Sequence, residues 1–271
     1  MRAVGASGID WLADGVAADL ALGGSTDCDA TDAAIRAALD GLPVDVVVQP
    51  AATRRKKLLI ADMDSTMIDQ ECIDELADEV GLKDHVAAIT ARSMNGELAF
   101  EPALRQRVAL LKGLDEAVIG RIIESRITLA SGGRNLVATM NAAGAWTALV
   151  SGGFLSFTGP VAEKLGFREN RANTLLAEAG RLTGMVGEPI LGRAAKAEAL
   201  REMVARLGIS VADAIAVGDG ANDLDMLALA GSGVALHAKP AVAVQARIRV
   251  DHGDLTALLY MQGYRREEFA G

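Results

Sequence analysis

The pattern of apolar and polar positions changes character near residue 57. After that point short, unbroken apolar runs recur: Leu58-Leu59-Ile60-Ala61, Trp146 to Val150, Ile215-Ala216-Val217 and Gly233 to Leu236. A strand with one wet face alternates apolar and polar residues, so a run without alternation marks a strand covered on both faces, as in a parallel sheet. Between these runs lie segments with helical spacing, such as 196–207 (KAEALREMVARL) and 223–230 (DLDMLALA). Strands alternating with helices predict a doubly wound, Rossmann-like α/β fold with a parallel sheet, whose chemistry gathers at the carboxyl ends of the strands.

Three intervals depart from a plain strand–helix–strand repeat. About 85 residues separate Ala61 from Trp146, far more than one crossover helix needs. The content is helical at 73–80, 100–111, 116–127 and 134–143, which predicts a helical cap over 74–132 set between core segments 51–73 and 133–271. A second insertion, 173–190, reads as a β-hairpin turning at Ala179-Gly180. Residues 1–50 read as a small N-terminal α+β segment, with a helix over 32–40 and a short buried strand over 44–50 that ends at Pro50.

Composition narrows the function classes. The apolar runs are strand-sized and fall well short of the ~20 residues a membrane helix requires, and Asp10 and Asp14 break any secretory h-region, so a cytoplasmic protein is expected. Cys28 and Cys72 supply neither a disulfide framework nor metal-ligand spacing. A net charge of −9 argues against nucleic acid or an anionic membrane as partner. The one basic run, Arg54-Arg55-Lys56-Lys57, reads as a solvated lead-in to the first core strand. His85, His237 and His252 are scattered and fit no catalytic arrangement.

The candidate chemistry lies where apolar runs end. Asp62 and Asp64 directly follow the first run (DMDST). An aspartate there can attack phosphorus as a nucleophile, and a second one two residues on can protonate the leaving alkoxide and then deprotonate water. Two carboxylates facing a phosphate repel one another, which calls for a divalent cation. Gly218-Asp219-Gly220-Ala221-Asn222-Asp223 follows another run, and its carboxylates are hard oxygen ligands of the kind Mg2+ prefers. Asp223 also fits a helix N-cap. Ser151-Gly152-Gly153 follows a third run and can hold phosphoryl oxygens with a hydroxyl and backbone N–H groups. Lys196, alone an ordinary surface lysine, becomes a candidate to neutralise phosphoryl charge beside these three motifs.

In this order, the four segments resemble the haloacid dehalogenase superfamily of phosphatases, over about residues 57–252. The resemblance implies Asp62 as nucleophile and Asp64 as acid/base, with Ser151 and Lys196 holding phosphate. It implies Mg2+ on Asp62, Asp219 and the main-chain carbonyl of Asp64, with Asp223 in support. The stretch 62–81 (DMDSTMIDQECIDELADEVG) is similar, more narrowly, to the phosphoserine phosphatase family. That likeness implies hydrolysis of O-phospho-L-serine through an aspartyl-phosphate, the last step of serine biosynthesis. Glu71 would meet the substrate ammonium and Arg107 its carboxylate, a division that suits a carboxylate and a bidentate guanidinium on physical grounds alone. Met94 and Phe100 match an apolar lid, Gly152 a phosphate-binding N–H, and Asn222 a position near the substrate. By residue type alone, Arg107 would sit on a solvated helix face beside Arg105.

Two further readings stand beside this one. A phosphatase or phosphotransferase of the same fold could act on another small phosphomonoester, and in a different class, residues 1–50 could serve a non-catalytic amino-acid sensor. The partner expected is a small molecule, and the oligomeric state is left open, a homodimer included.

Overall fold

The structure, a computed structural model, describes residues 5, 6, 8–23 and 27–271. Of the 1–50 segment, residues 1–4, 7 and 24–26 therefore lie outside what is described. The chain opens with an antiparallel hairpin, β1 (Ile9–Ala13) and β2 (Ala17–Leu20), followed by α1 (Cys28–Leu39), which Asp27 caps by accepting from Asp29 N and Ala30 N. The first core strand is β3 (Leu58–Ala61). Four helices then follow: α2 (Cys72–Asp78), α3 (Lys83–Met94), α4 (Phe100–Ala109) and α5 (Val118–Ser125). Helix α6 (Gly133–Ala142) leads into β4 (Trp146–Phe154), α7 (Leu155–Leu165) and β5 (Glu169–Asn173). The hairpin β6 (Leu175–Glu178) and β7 (Arg181–Val186) precedes α8 (Arg193–Leu207). The chain ends with β8 (Ala214–Gly218), α9 (Leu224–Leu229), β9 (Ser232–Leu236), α10 (Pro240–Ala243), β10 (Ile248–Val250) and α11 (Ala257–Tyr260).

Six strands form one parallel sheet in the order β10-β9-β8-β3-β4-β5. The unbroken apolar runs are explained by cover on both faces. Leu59 and Ala61 join a core with helices α2, α5, α6 and α7, whereas Leu58 and Ile60 join a second core with α8 and α9. β3 lies in the middle, with Ala61 level with Leu149 of β4 on one side and Val217 of β8 on the other. The chain leaves β3 toward one neighbour and later returns to the other, so the loops after β3, β4 and β8 open side by side at a topological switch point.

Several expectations need correction. Residues 44–50 form no strand; Val46 is buried, but among the described residues the segment pairs with no strand and is held by side chains instead. The Asp45 carboxylate accepts from the N–H groups of Asp251, His252 and Gly253, and Gln49 donates to Met261 O. β4 runs past the apolar residues Trp146 to Val150 to take in Ser151-Gly152-Gly153, and its register against β5 shifts between Val150 and Phe154. The basic run is solvated at Arg55 and Lys57, as expected, but each of its members also finds a partner, and Lys56 is buried. Arg54 pairs with Asp19, the Arg55 guanidinium lies 3.5 Å from the Tyr264 ring centroid, and buried Lys56 donates to Ala212 O. The hairpin expected at 173–190 is present, turning at Ala179 and Gly180, both with positive φ (49° and 75°), which suits a tight two-residue connection. Among the described residues no helix is long and apolar enough to cross a membrane.

Candidate active site

β3, β4 and β8 deliver Asp62, Ser151 and Asp219 to one place, and all three are buried. Asp62 N donates to Val217 O, which continues the β3–β8 ladder one residue past the strand and fixes the first carboxylate against the second motif. The loop then tightens: Thr66, Met67 and Ile68 all donate to Met63 O, and Ser65 adopts a left-handed conformation with φ 53°. One cavity is lined by Asp62, Asp64, Glu71, Met94, Phe100, Arg107, Ser151, Gly152, Asp219 and Asn222. Of the expected site residues, only Lys196 and Asp223 lie outside this lining, and both sit directly beneath it. Lys196 Nζ is 2.7 Å from Asp62 Oδ1 and 2.7 Å from Asp223 Oδ1.

Space around the glycines is fully used. A methyl group built on Gly218 would lie 2.3 Å from Asp223 Cγ, and one on Gly152 would lie 2.7 Å from Phe100 Cζ. Gly153 N donates to Ser151 Oγ, so that amide is spent on orienting the hydroxyl. Asp223 stands at the N-cap of α9 without a side-chain bond to that helix; its Oδ2 accepts from Gly220 N and so caps the 3-10 turn Ala221–Asp223, while Oδ1 holds Lys196. Arg107 is buried, contrary to its expected helix face. Nε donates to Ala103 O and Nη1 to Thr90 Oγ1. Neighbouring Arg105 is the exposed one, paired with Glu188.

Burial is the main cause of every large carboxyl shift here. It pushes Asp62 well above the usual carboxylate range, and the neighbouring Asp223 adds to this while Lys196 opposes it. Burial raises Asp64 against the hydrogen bonds from Cys72, and raises Glu71 well up with help from Asp64 and Asp219. Asp219 is pushed up to about 7, with Lys239 pulling the other way. Burial alone would lower the Lys196 ammonium, but Asp223 and Asp62 more than reverse that, so it stays charged.

These groups fit a divalent cation. The carboxylates of Asp62, Asp219 and Asp223 can bring one oxygen each within 4.8 Å of the others, a buried set of hard oxygen donors that suits such a cation. Five carboxyl groups (Asp62, Asp64, Glu71, Asp219, Asp223) outnumber the three cations beside them (Arg107, Lys196, Lys239), and a divalent cation would offset the excess as they ionise. The Asp64 carboxylate stands outside the cluster, accepting from Cys72 N.

Two contributors carry no motif signal. Lys239 Nζ lies 3.0 Å from Asp219 Oδ2, and its backbone N donates to Asp219 O. Its only sequence cue is a position in the loop after β9, the strand beside β8. Ser65 donates to Glu71 Oε1 at 2.7 Å.

Residues 59–228 match the model of the haloacid dehalogenase-like hydrolases. A phosphoserine phosphatase of Albidiferax ferrireducens is 47% identical over 224 residues, which is 81% of this chain and 94% of that one. The chain belongs to the phosphoserine phosphatase branch of the haloacid dehalogenase-like hydrolases. A phosphoserine phosphatase of Streptomyces coelicolor is 43% identical over 88% of this chain, and there the chain spans only 58% of the relative's length. Among solved structures, a phospho-aspartyl intermediate analogue of phosphoserine phosphatase superposes with a TM-score of 0.73 at 40% identity, covering 76% of this chain and 98% of that one. For a haloacid dehalogenase-like hydrolase, an aspartate cluster that can hold a divalent cation is the expected equipment, and the cluster is present.

Proposed function

We propose that this chain hydrolyses O-phospho-L-serine to serine and inorganic phosphate, with Mg2+ as its cation. The observation that carries the reading is that Glu71 and Arg107 line the same cavity as Asp62 and Asp64. A phosphomonoester alone needs only the carboxylate cluster, Ser151 and Lys196. An anion-binding and a cation-binding group placed a short way from them match a substrate that carries its own ammonium and carboxylate. The similar structure with a phospho-aspartyl intermediate analogue supports the same chemistry.

In this reading one Asp62 carboxylate oxygen attacks phosphorus and the bond from phosphorus to the serine oxygen breaks. Asp64 gives a proton to the leaving alkoxide, and burial raises its affinity for that proton. A water molecule then attacks the aspartyl-phosphate, Asp64 takes the proton back, and the P–O bond to Asp62 breaks to release phosphate. Ser151 Oγ and Gly152 N hold phosphoryl oxygens, while Lys196 balances charge from beneath Asp62. Asp62, Asp219 and the Asp64 carbonyl would hold Mg2+, supported by Asp223, and the cation would supply charge neutralisation to the carboxylates and the phosphoryl group.

Met94, Phe100 and Asn222 close the cavity, and Asn222 Oδ1 is buried without a partner, as suits a group waiting for a ligand donor. Phe100 and Met94 line the cavity with apolar side chains, and substrate enters when they swing aside.

The test is phosphate release from L-phosphoserine with Mg2+, beside a panel of other phosphomonoesters. Release that is abolished by EDTA and lowered at least ~10³-fold by Asp62→Asn is expected from loss of a covalent nucleophile. Turnover of other esters without phosphoserine would keep the nucleophile and refute the roles given to Glu71 and Arg107.

A further inference from the structure

The cavity explains where Arg107 points but not what keeps it there. Arg107 is 2% exposed, and a buried guanidinium on a long side chain is a costly and mobile group unless its donors are tied. Two ties are present. Nε donates to Ala103 O one turn back on α4, and Nη1 donates to Thr90 Oγ1 on α3 at 2.9 Å. Among the described residues Nη2 makes no hydrogen bond to protein.

The Thr90 hydroxyl carries one hydrogen and sits 2.7 Å from Asp74 Oδ1 and 3.1 Å from Val86 O. The carboxylate is the nearer and stronger acceptor, so the hydrogen goes to Asp74 and the oxygen lone pairs are left to accept from Arg107. The Asp74 carboxylate accepts no other hydrogen bond from a described residue. It lies in the first turn of α2, three residues after Glu71. One turn of α2 therefore sends Glu71 into the cavity and reaches, through Thr90, the guanidinium on the cavity's other side.

We infer that Thr90 and Asp74 are positioning residues that hold the Arg107 guanidinium in register with Glu71 and so set selectivity for substrates that carry a carboxylate beside the ammonium. The inference rests on the reading of Arg107 as the carboxylate-binding group. Thr90 touches no substrate atom; its hydroxyl acts only through Arg107, and the α2 turn fixes the spacing between the two recognition groups.

The experiment uses the full-length chain loaded with Mg2+ and two esters, L-phosphoserine and phosphoethanolamine, which share the phosphate and ammonium and differ in the carboxylate. Thr90→Val keeps the shape and removes the acceptor, Thr90→Ser keeps the acceptor, and Asp74→Ala removes the far anchor. Thr90→Val and Asp74→Ala should each raise KM for phosphoserine about tenfold with kcat within about threefold, the loss expected when one charge-assisted contact slackens. Neither should move kinetics on phosphoethanolamine, and Thr90→Ser should stay near wild type. Equal losses on both esters, or none on phosphoserine in either folded variant, would overturn the positioning role. Wild-type protein indifferent to the carboxylate, or Arg107→Ala harming both esters equally, would sink the reading of Arg107 and the inference with it.

Discussion

Asp219 is held at about 7 by burial, against the pull of Lys239, compared with an ordinary value of 3.8. A cation that binds Asp219 must compete with that proton. Below about pH 7 the apparent affinity for Mg2+ should fall by about tenfold per pH unit, and above it should level off. The sign for stability runs the other way. Between about pH 4 and 7 the folded, cation-free protein keeps a proton that the unfolded chain has released, so its stability falls as pH rises through that window. Melting curves from pH 4 to 8, in EDTA and in Mg2+, should diverge most at the alkaline end, with the Mg2+ curve the more stable. Parallel curves at every pH would rule out Asp219 as a ligand. Asp62 and Asp219 were legible in the sequence because each stands at the end of an apolar run, and Asp64 and Asp223 because they complete the motifs that begin there. The burial of Arg107 and Lys196 was not, since each is matched by groups distant in sequence: Thr90 for one, Asp62 and Asp223 for the other.

Among the secondary-structure elements, the β6–β7 hairpin does more than fill an insertion. It continues as a small ladder onto the turn between α4 and α5, where Gly113 N donates to Leu182 O, Leu182 N to Leu114 O, and Glu116 N to Gly180 O. Leu182 is buried in the larger core cluster. The hairpin thereby braces the helix that carries Phe100 and Arg107. Gly184 makes this fit possible: its φ is +80°, and a methyl group there would lie 3.0 Å from Lys112 Cβ and 3.3 Å from Ala109 O. Gly184→Ala combines a left-handed backbone penalty of ~1–2 kcal/mol with that crowding, and should lower the melting temperature by several degrees in thermal denaturation. An unchanged melting temperature would mean the hairpin is not seated on α4. The turn of this hairpin was readable from Ala179-Gly180, whereas α3 was not marked as a helix because its buried face mixes Thr90 and Ser93 with Val86, Ile89 and Met94, which dilutes the apolar stripe. The run at 44–50 misled in the opposite way: valines favour a strand, but a strand needs a neighbour, and this segment finds side-chain bonds instead.

For the whole molecule, the N-terminal segment is attached to the core at separate points: just before β3, after α11 and just after the edge strand β10. Arg265 grips Asp10 through both carboxylate oxygens, Arg54 holds Asp19, and Asp45 covers three successive N–H groups just after β10. β10 is the edge strand, three places from β3, which at the usual strand spacing is about 14 Å from the line of Asp62. Helix α1 buries none of its residues, so the segment adds attachment at a few points rather than a core of its own. Stability and catalysis should therefore separate here. Asp45→Ala strips the acceptor from three backbone donors, two of them exposed to water and one half-buried. The half-buried Gly253 N–H carries most of the penalty, about 1–3 kcal/mol for a donor left unsatisfied, and water recovers the rest. Denaturant titration should show that loss, while kcat and KM on phosphoserine stay within about twofold of wild type. A matching fall in kcat would instead mean that the edge of the sheet transmits its order to β8 and the carboxylates at its end.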